Sequence, residues 1–237
     1  RDKVAAFNTL LILTNQTNKT NLVVQKKHLT LSEKRKKLAE QKKQKKGEKS
    51  LKTISPSQAQ LSSLLKYYQT RRYDDAEKLA MSITQKFPKH QFSWKVLGAV
   101  LKEIGRASES LVASQKSVQL APQDVEAHNN LGNTLQELGR LEEATASYIQ
   151  AIALKPDLAD AHSNLGNTLQ ELGRFDEAEA SYTQAIALKP DYAKTHNNLG
   201  ATLKQLGRLE EAEASYTQAI ALKPDLAEAY YNFGIIL

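Results

Sequence analysis

The sequence predicts an all-α protein built as a solenoid of stacked helical hairpins, and three observations predict it. Pro88, Pro122, Pro156, Pro190 and Pro224 stand 34 residues apart. The pairs Leu97-Gly98, Leu131-Gly132, Leu165-Gly166 and Leu199-Gly200 keep the same interval, and Phe233-Gly234 takes the next place. Gly105, Gly139, Gly173 and Gly207 form a third series in the same step. A fixed period of this length marks a repeat architecture, in which no unit buries its apolar face alone and stacking completes the core.

Within each period, apolar residues recur at helical spacing in two blocks separated by a glycine of the third series. In residues 159–192 the first block presents Ala161, Leu165, Leu169 and Leu172, and the second presents Phe175, Ala178, Tyr182, Ala185 and Ile186. Gly173 sits where the first helix ends, a place that needs a left-handed backbone. Pro190 stops the second helix, and Asp191 is expected to cap the next. Asp225 followed by Glu228 has the spacing of a capping box, with Asp157 and Asp160 as a weaker version.

The spacing Trp94-x-x-Leu97-Gly98-x-x-Leu101, followed in the next period by Leu131-Gly132, Ala144, Tyr148, Ala151 and Pro156, resembles the tetratricopeptide repeat. The resemblance covers residues 57–237. Its phase gives units at 57–90, 91–124, 125–158, 159–192 and 193–226, with a partial sixth at 227–237. It implies a right-handed superhelix of helix pairs whose first helices line a concave face. Gly98, Gly132, Gly166 and Gly200, with Ala144, Ala178 and Ala212, are expected where paired helices cross, and Trp94, Tyr148, Tyr182 and Tyr216 are expected as structural positions of the repeat. The first unit departs from the pattern, with Leu64 for the crossing glycine and Arg71 for the turn glycine, and the second carries Ser110 where later units have alanine.

The concave positions should carry function. Asn130, Asn164, Asn198 and Asn232 recur there, and Asn133 and Asn167 add a second row. A column of carboxamides offers paired donors and acceptors suited to the backbone of an extended peptide. The ladder is similar to the repeat superhelix of O-linked N-acetylglucosamine transferases, which implies a peptide-holding role. The lysine and arginine clamp by which other members of the family seize a terminal carboxylate is not expected, because Glu126 and Asp160 lie on the same surface and Lys95 and Lys194 are isolated. His128, His162 and His196 are one repeat apart, too far for one metal ion, and share a position with Trp94 and Tyr230; they are expected to pack in the core. No metal or cofactor is expected. The pairs Glu142-Glu143, Asp176-Glu177 and Glu210-Glu211 open second helices, where negative charge suits the helix dipole.

The net charge of +7 is unevenly spread. Residues 1–52 carry +11 and residues 53–237 carry −4. The basic character therefore belongs to an N-terminal extension, divided into an unassigned segment 1–25 and a lysine-rich tract 26–56 that is expected to be mostly disordered. Lys26 to Lys52 is a candidate for nucleic acid or an anionic surface, a weak one since no aromatic residue lies between Phe7 and Tyr67. Thr30 to Glu33 has the form of a helix cap. Asn15-Gln-Thr17 and Asn18-Lys-Thr20 fit the glycosylation pattern, a frequent chance match. With no cysteine there is neither disulfide nor thiolate chemistry. No run reaches the length of a membrane span, and no cleavage site follows Ala5 to Leu13, so the chain is expected to be cytoplasmic.

The sequence is thus expected to be a non-enzymatic scaffold for a protein or peptide partner, with self-association through the repeat faces as another outcome. Its start at Arg1 and its end in mid-pattern at Leu237 suggest a fragment. The alternative function is the substrate-recruiting arm of a larger enzyme with its catalytic domain beyond Leu237: by resemblance a glycosyltransferase, less readily a sulfotransferase or oxygenase.

Overall fold

A computed structural model describes residues 36–40 and 55–235. The chain divides into two compact units, residues 1–55 and 56–237. In the first, residues 36–40 are helical and exposed. The segment 1–25, the cap at Thr30 to Glu33, most of the lysine-rich tract, both glycosylation patterns and the last two residues lie outside the described residues.

The described part of the second unit is built of eleven helices and contains no strand. They are α1 (Gln58–Gln69), α2 (Tyr73–Lys86), α3 (Gln91–Glu103), α4 (Ala107–Leu120), α5 (Val125–Glu137), α6 (Leu141–Leu154), α7 (Ala159–Glu171), α8 (Phe175–Leu188), α9 (Ala193–Gln205), α10 (Leu209–Leu222) and α11 (Ala227–Gly234). Each helix packs on the next, and each odd-numbered helix also touches the following odd-numbered one. The even-numbered helices from α2 to α10 make no such contact with each other. The odd helices therefore lie closer together, on the inner side of the stack, and the even helices lie outside. This is the tetratricopeptide solenoid.

The turns inside the hairpins follow from one backbone conformation. Gly105, Gly139, Gly173 and Gly207 have φ between 70 and 76°. Arg71 holds the equivalent place at φ 56°, so the first hairpin accepts a conformation that costs a residue with a side chain roughly 1–2 kcal/mol.

Caps between hairpins depart from the sequence expectation. Helices α7, α9 and α11 have Leu158, Tyr192 and Leu226 at the N-cap, and no side chain caps them. Asp157, Asp191 and Asp225 fall one residue early, directly after proline, and the carbonyls of Asp191 and Asp225 accept from Ala193 and Ala227 in a tight turn instead. The sequence Pro122-Gln-Asp124 sets its aspartate one residue later, and Asp124 Oδ1 accepts the Ala127 N–H at 3.0 Å. Helix α1 begins with a capping box the sequence reading had not singled out. Gln60 N–H donates to Ser57 Oγ at 3.3 Å, and Ser57 N–H donates to Gln60 Oε1 at 3.0 Å.

The helix crossings are set by pairs of complementary size. A Cβ added to Gly132, Gly166 or Gly200 would lie 2.6–2.7 Å from the ring of Tyr148, Tyr182 or Tyr216, and one at Gly98 would lie 2.6 Å from Ser114 Oγ. All three rings are buried. In the first hairpin the sizes are exchanged: Leu64 stands in the glycine position, Ala80 in the tyrosine position, and both are wholly buried in one cluster. Volume is conserved across the crossing although neither residue is.

On the outer side, Arg106 reaches back to Glu77 at 2.5 Å and Arg208 to Glu179 at 2.6 Å, tying successive hairpins. The two intervening hairpin interfaces lack this strut, because the position of Glu77 and Glu179 is held by Leu111 and Thr145. Arg174 reaches back only to the exposed Glu142, at 3.6 Å. Thr145 Oγ1 is left as the buried side-chain atom without a hydrogen bond among the described residues.

Two substitutions test these contacts by urea denaturation. Gly166→Ala is expected to destabilise the array by about 1–3 kcal/mol through overpacking against Tyr182. Thr145→Glu is expected to raise the urea midpoint by giving Arg174 the close partner that Arg106 and Arg208 have, and Arg174→Ala in the same chain should remove that gain.

Candidate functional site

The inner helices bring most of the asparagines into a system of two hydrogen-bonded clusters, one around Asn133 and one around Asn167. Asn164 Nδ2 donates to Asn133 Oδ1 of the preceding hairpin at 3.0 Å, and Asn198 Nδ2 donates to Asn167 Oδ1 at 2.8 Å. The two rows expected from sequence are therefore linked across repeats. Each acceptor also takes a hydrogen bond from a crossing tyrosine: Tyr148 Oη donates to Asn133 Oδ1 at 2.7 Å, and Tyr182 Oη to Asn167 Oδ1 at 2.8 Å. Gln136 Oε1 and Gln170 Oε1 lie 3.2 and 2.9 Å from the same hydroxyls. The ring that spaces the helices thus also orients the carboxamides, a coupling the sequence reading missed.

The system has two ends. Asn130 would need an amide at position 99, which is Ala99, and its side chain makes no hydrogen bond among the described residues. After Asn167 the second row stops at Ala201, so Asn232 Nδ2 turns to Asn197 Oδ1 at 3.0 Å. At Tyr216 the asparagine and glutamine partners are replaced by Ala201 and Lys204.

In Asn133, Asn164 and Asn167 one half of the amide is engaged in this way, whereas Asn198 uses both, its Oδ1 accepting from Asn197 Nδ2 at 3.3 Å. Asn133 Nδ2 and Asn164 Oδ1 make no hydrogen bond among the described residues, and neither is a buried orphan. Both residues line an open hollow with Lys102, Gln136, Glu137 and Glu171. Gln136 Nε2 donates to Glu171 Oε1 at 2.6 Å. Burial, reinforced by the Glu171 carboxylate, pushes the Tyr148 and Tyr182 hydroxyls well above the ordinary tyrosine value, so both stay protonated donors.

Lys95, expected from sequence to stand apart from other cations, is held by two carboxylates. Its Nζ lies 3.0 Å from Asp124 and 2.6 Å from Glu126 on the next hairpin, because the odd helices approach one another closely enough for the long side chain to span them. Burial alone would raise the Asp124 pKa, but hydrogen bonds from Lys95, the Ala127 N–H and Gln91 more than offset it and hold the carboxyl below the usual aspartate range.

The repeated histidines are polar tethers. Nε2 of His128, His162 and His196 lies 2.9–3.0 Å from the carbonyl of Pro122, Pro156 and Pro190, and Trp94 Nε1 donates to the Pro88 carbonyl at 2.9 Å. Indole and imidazole perform one task, fastening each inner helix to the turn before it. No group of residues able to hold a metal ion occurs among the described residues. The acidic residues Glu143, Glu177 and Glu211 pair with Arg140, Arg174 and Arg208 at the start of the same helices. No helix among the described residues is long and apolar enough to cross a membrane.

Comparison with known proteins agrees with this architecture. Residues 132–173 match the model of a TPR repeat, and residues 157–225 and 113–146 match two tetratricopeptide repeat models. No curated protein matches the chain. Among solved structures, a thermophilic TPR protein from Thermus thermophilus is 25% identical, with 76% of this chain and 97% of that one covered and a TM-score of 0.60. A crystal structure of MamA is 23% identical over 69% and 95% of the two chains, with a TM-score of 0.63. YrrB, described as a TPR protein with an unusual peptide-binding site, is 18% identical over 74% and 91%, with a TM-score of 0.64. The last two likenesses bear on the fold alone.

The Asp124 cluster gives a pH test with a definite sign. A carboxyl depressed in the folded state contributes stability that is present above the ordinary value of 3.8 and is lost as pH falls through the folded value. Urea midpoints measured between about pH 5 and pH 2 should therefore fall more steeply in the parent chain than in Asp124→Asn.

Proposed function

We propose that the array is a protein-interaction scaffold that holds an extended peptide segment of a partner along its inner helices. The observation that carries this reading is the half-engaged carboxamide. One side of Asn133, Asn164 and Asn167 is fixed by neighbours, so these amides are oriented before a ligand arrives, and less conformational entropy is lost on binding. The other side of Asn133 and Asn164 supplies a donor and an acceptor at the hollow, the pairing that a peptide bond satisfies whatever its side chain. Each such hydrogen bond contributes only about 0.5–1.5 kcal/mol, so affinity depends on several repeats acting together.

The same geometry would serve as the substrate-recruiting arm of a larger enzyme, the reading favoured by the likeness of the asparagine ladder to glycosyltransferase repeats. The reading frame beyond Leu237 distinguishes an arm from a free-standing scaffold.

Selection from a random peptide library should yield ligands that bind without regular secondary structure of their own. Replacing Asn130, Asn164 and Asn198 together by alanine should weaken the best of them by about tenfold or more, given three lost hydrogen bonds. Circular dichroism and the urea midpoint report separately whether the array stays folded. Unchanged affinity in a folded triple variant would remove the ladder from binding.

A further inference from the structure

The cleft where α2, α3 and α4 meet differs from those that follow it along the stack. It is lined by Met81 of α2 and Val112 of α4, which are 42% and 64% exposed, and by the buried Leu97 and Leu101 of α3. Trp94 lines it too and is shared, with Val112, by a second hollow that runs on to Lys116 and Gln119. One period further on, the places of Met81, Trp94, Val112 and Lys116 are held by Gln115, His128, Ala146 and Gln150. The next two clefts have Ile149, His162, Ala180 and Gln184, then Thr183, His196, Ala214 and Gln218. Among these clefts the first alone combines bulky apolar side chains on both outer helices with an indole and a cation.

The chemistry of the cleft selects its occupant. The two hollows follow α4 from Glu109 to Gln119, a run of about 15 Å or three turns of helix. Between the charged ends, the apolar lining offers no partner for the N–H and C=O groups of an extended chain, and leaving such groups unpaired is costly. A helix satisfies its own backbone and can present an apolar stripe. The inner side has the opposite character, since its carboxamides suit an extended backbone. Charge fixes what flanks the stripe. At one end Arg106 is already shared by Glu77 and Glu109, at 2.5 Å each. At the other, Lys116 meets only the neutral Gln119, at 2.8 Å, and forms no ion pair among the described residues. The Trp94 ring is held in advance by its hydrogen bond to the Pro88 carbonyl, so covering it costs little side-chain freedom.

We propose that this cleft is a second docking surface and that its occupant is an amphipathic helix of a partner protein, which lays an apolar stripe over Met81, Trp94 and Val112 and sets a carboxylate against Lys116. A buried tryptophan is the kind of side chain that dominates a protein interface, and a flexible methionine adapts to the shape placed against it. The proposal stands apart from the peptide-groove reading, because no asparagine of the inner rows takes part in it.

Trp94 is the only tryptophan of the chain, so its fluorescence reports on the cleft directly. The probe is a synthetic alanine-rich helical peptide without tryptophan, with leucines one turn apart and a glutamate one turn beyond them, titrated into the full chain. A saturable blue shift of the Trp94 emission is expected. In the Met81→Gln, Val112→Ala chain, which takes the residues of the next cleft, affinity should fall about tenfold or more while circular dichroism shows the array folded. In the Lys116→Glu chain it should fall about fivefold at low salt, and a peptide with lysine in place of the glutamate should recover it. The same peptide broken by central prolines should bind about tenfold more weakly or not at all. Equal affinity for the intact and the broken peptide overturns the helical occupant, and failure of the charge exchange to restore binding overturns the role of Lys116. No change in emission, or the same change in the Met81→Gln, Val112→Ala chain, overturns the docking surface. So does a cleft covered by a second copy, which light scattering would show as a dimer that the double substitution dissolves.

Discussion

The contact between a glycine on each inner helix and a tyrosine on its outer partner governs the architecture. The absence of a Cβ at Gly132, Gly166 and Gly200 lets the ring enter the crossing, which fixes how far apart the two helices stand. The first two hairpins fill the crossing with other residues, Leu64 against Ala80 and Gly98 against Ser114. In the first of them a large and a small residue exchange sides, which keeps the crossing filled, in keeping with the close packing of protein interiors.

The tyrosine also joins structure to the inner surface. Its ring lies in the core and its hydroxyl emerges beside the second row of asparagines, where it holds Asn133 and Asn167 in place. Those oxygens in turn receive an amide from the following hairpin. A core contact, an intra-hairpin hydrogen bond and an inter-hairpin hydrogen bond thus meet at one carboxamide. Burial raises the pKa of the phenol, so this donor persists into more alkaline solution than that of an exposed tyrosine.

The hairpins, their turns and their glycine crossings were legible in the sequence because each depends on residues within one period of 34. The asparagine rows were legible as rows for the same reason. Their linkage was not, since Asn164 to Asn133 is a contact between periods at a separation no single repeat displays. The engagement of Lys95 by Asp124 and Glu126 was hidden likewise. The caps failed for a different cause: one residue of offset after proline decides whether an aspartate reaches a helix N-terminus, and only Asp124 has the right offset. At the histidine position, sequence pointed to burial beside Trp94, whereas the shared feature is an N–H aimed at a proline carbonyl.

The outer arginine struts bear on the mechanics of the stack. In a solenoid each unit touches its neighbours alone, so a load along the array is borne by the interfaces in series. The interfaces braced by Glu77 and Glu179 resist splaying of their outer helices with a close charge pair that Leu111 and Thr145 do not provide. The two middle interfaces, behind the hollow, thus lack the close outer charge pair that the two end interfaces have, and would be the first to yield if that pair set the stiffness of the stack.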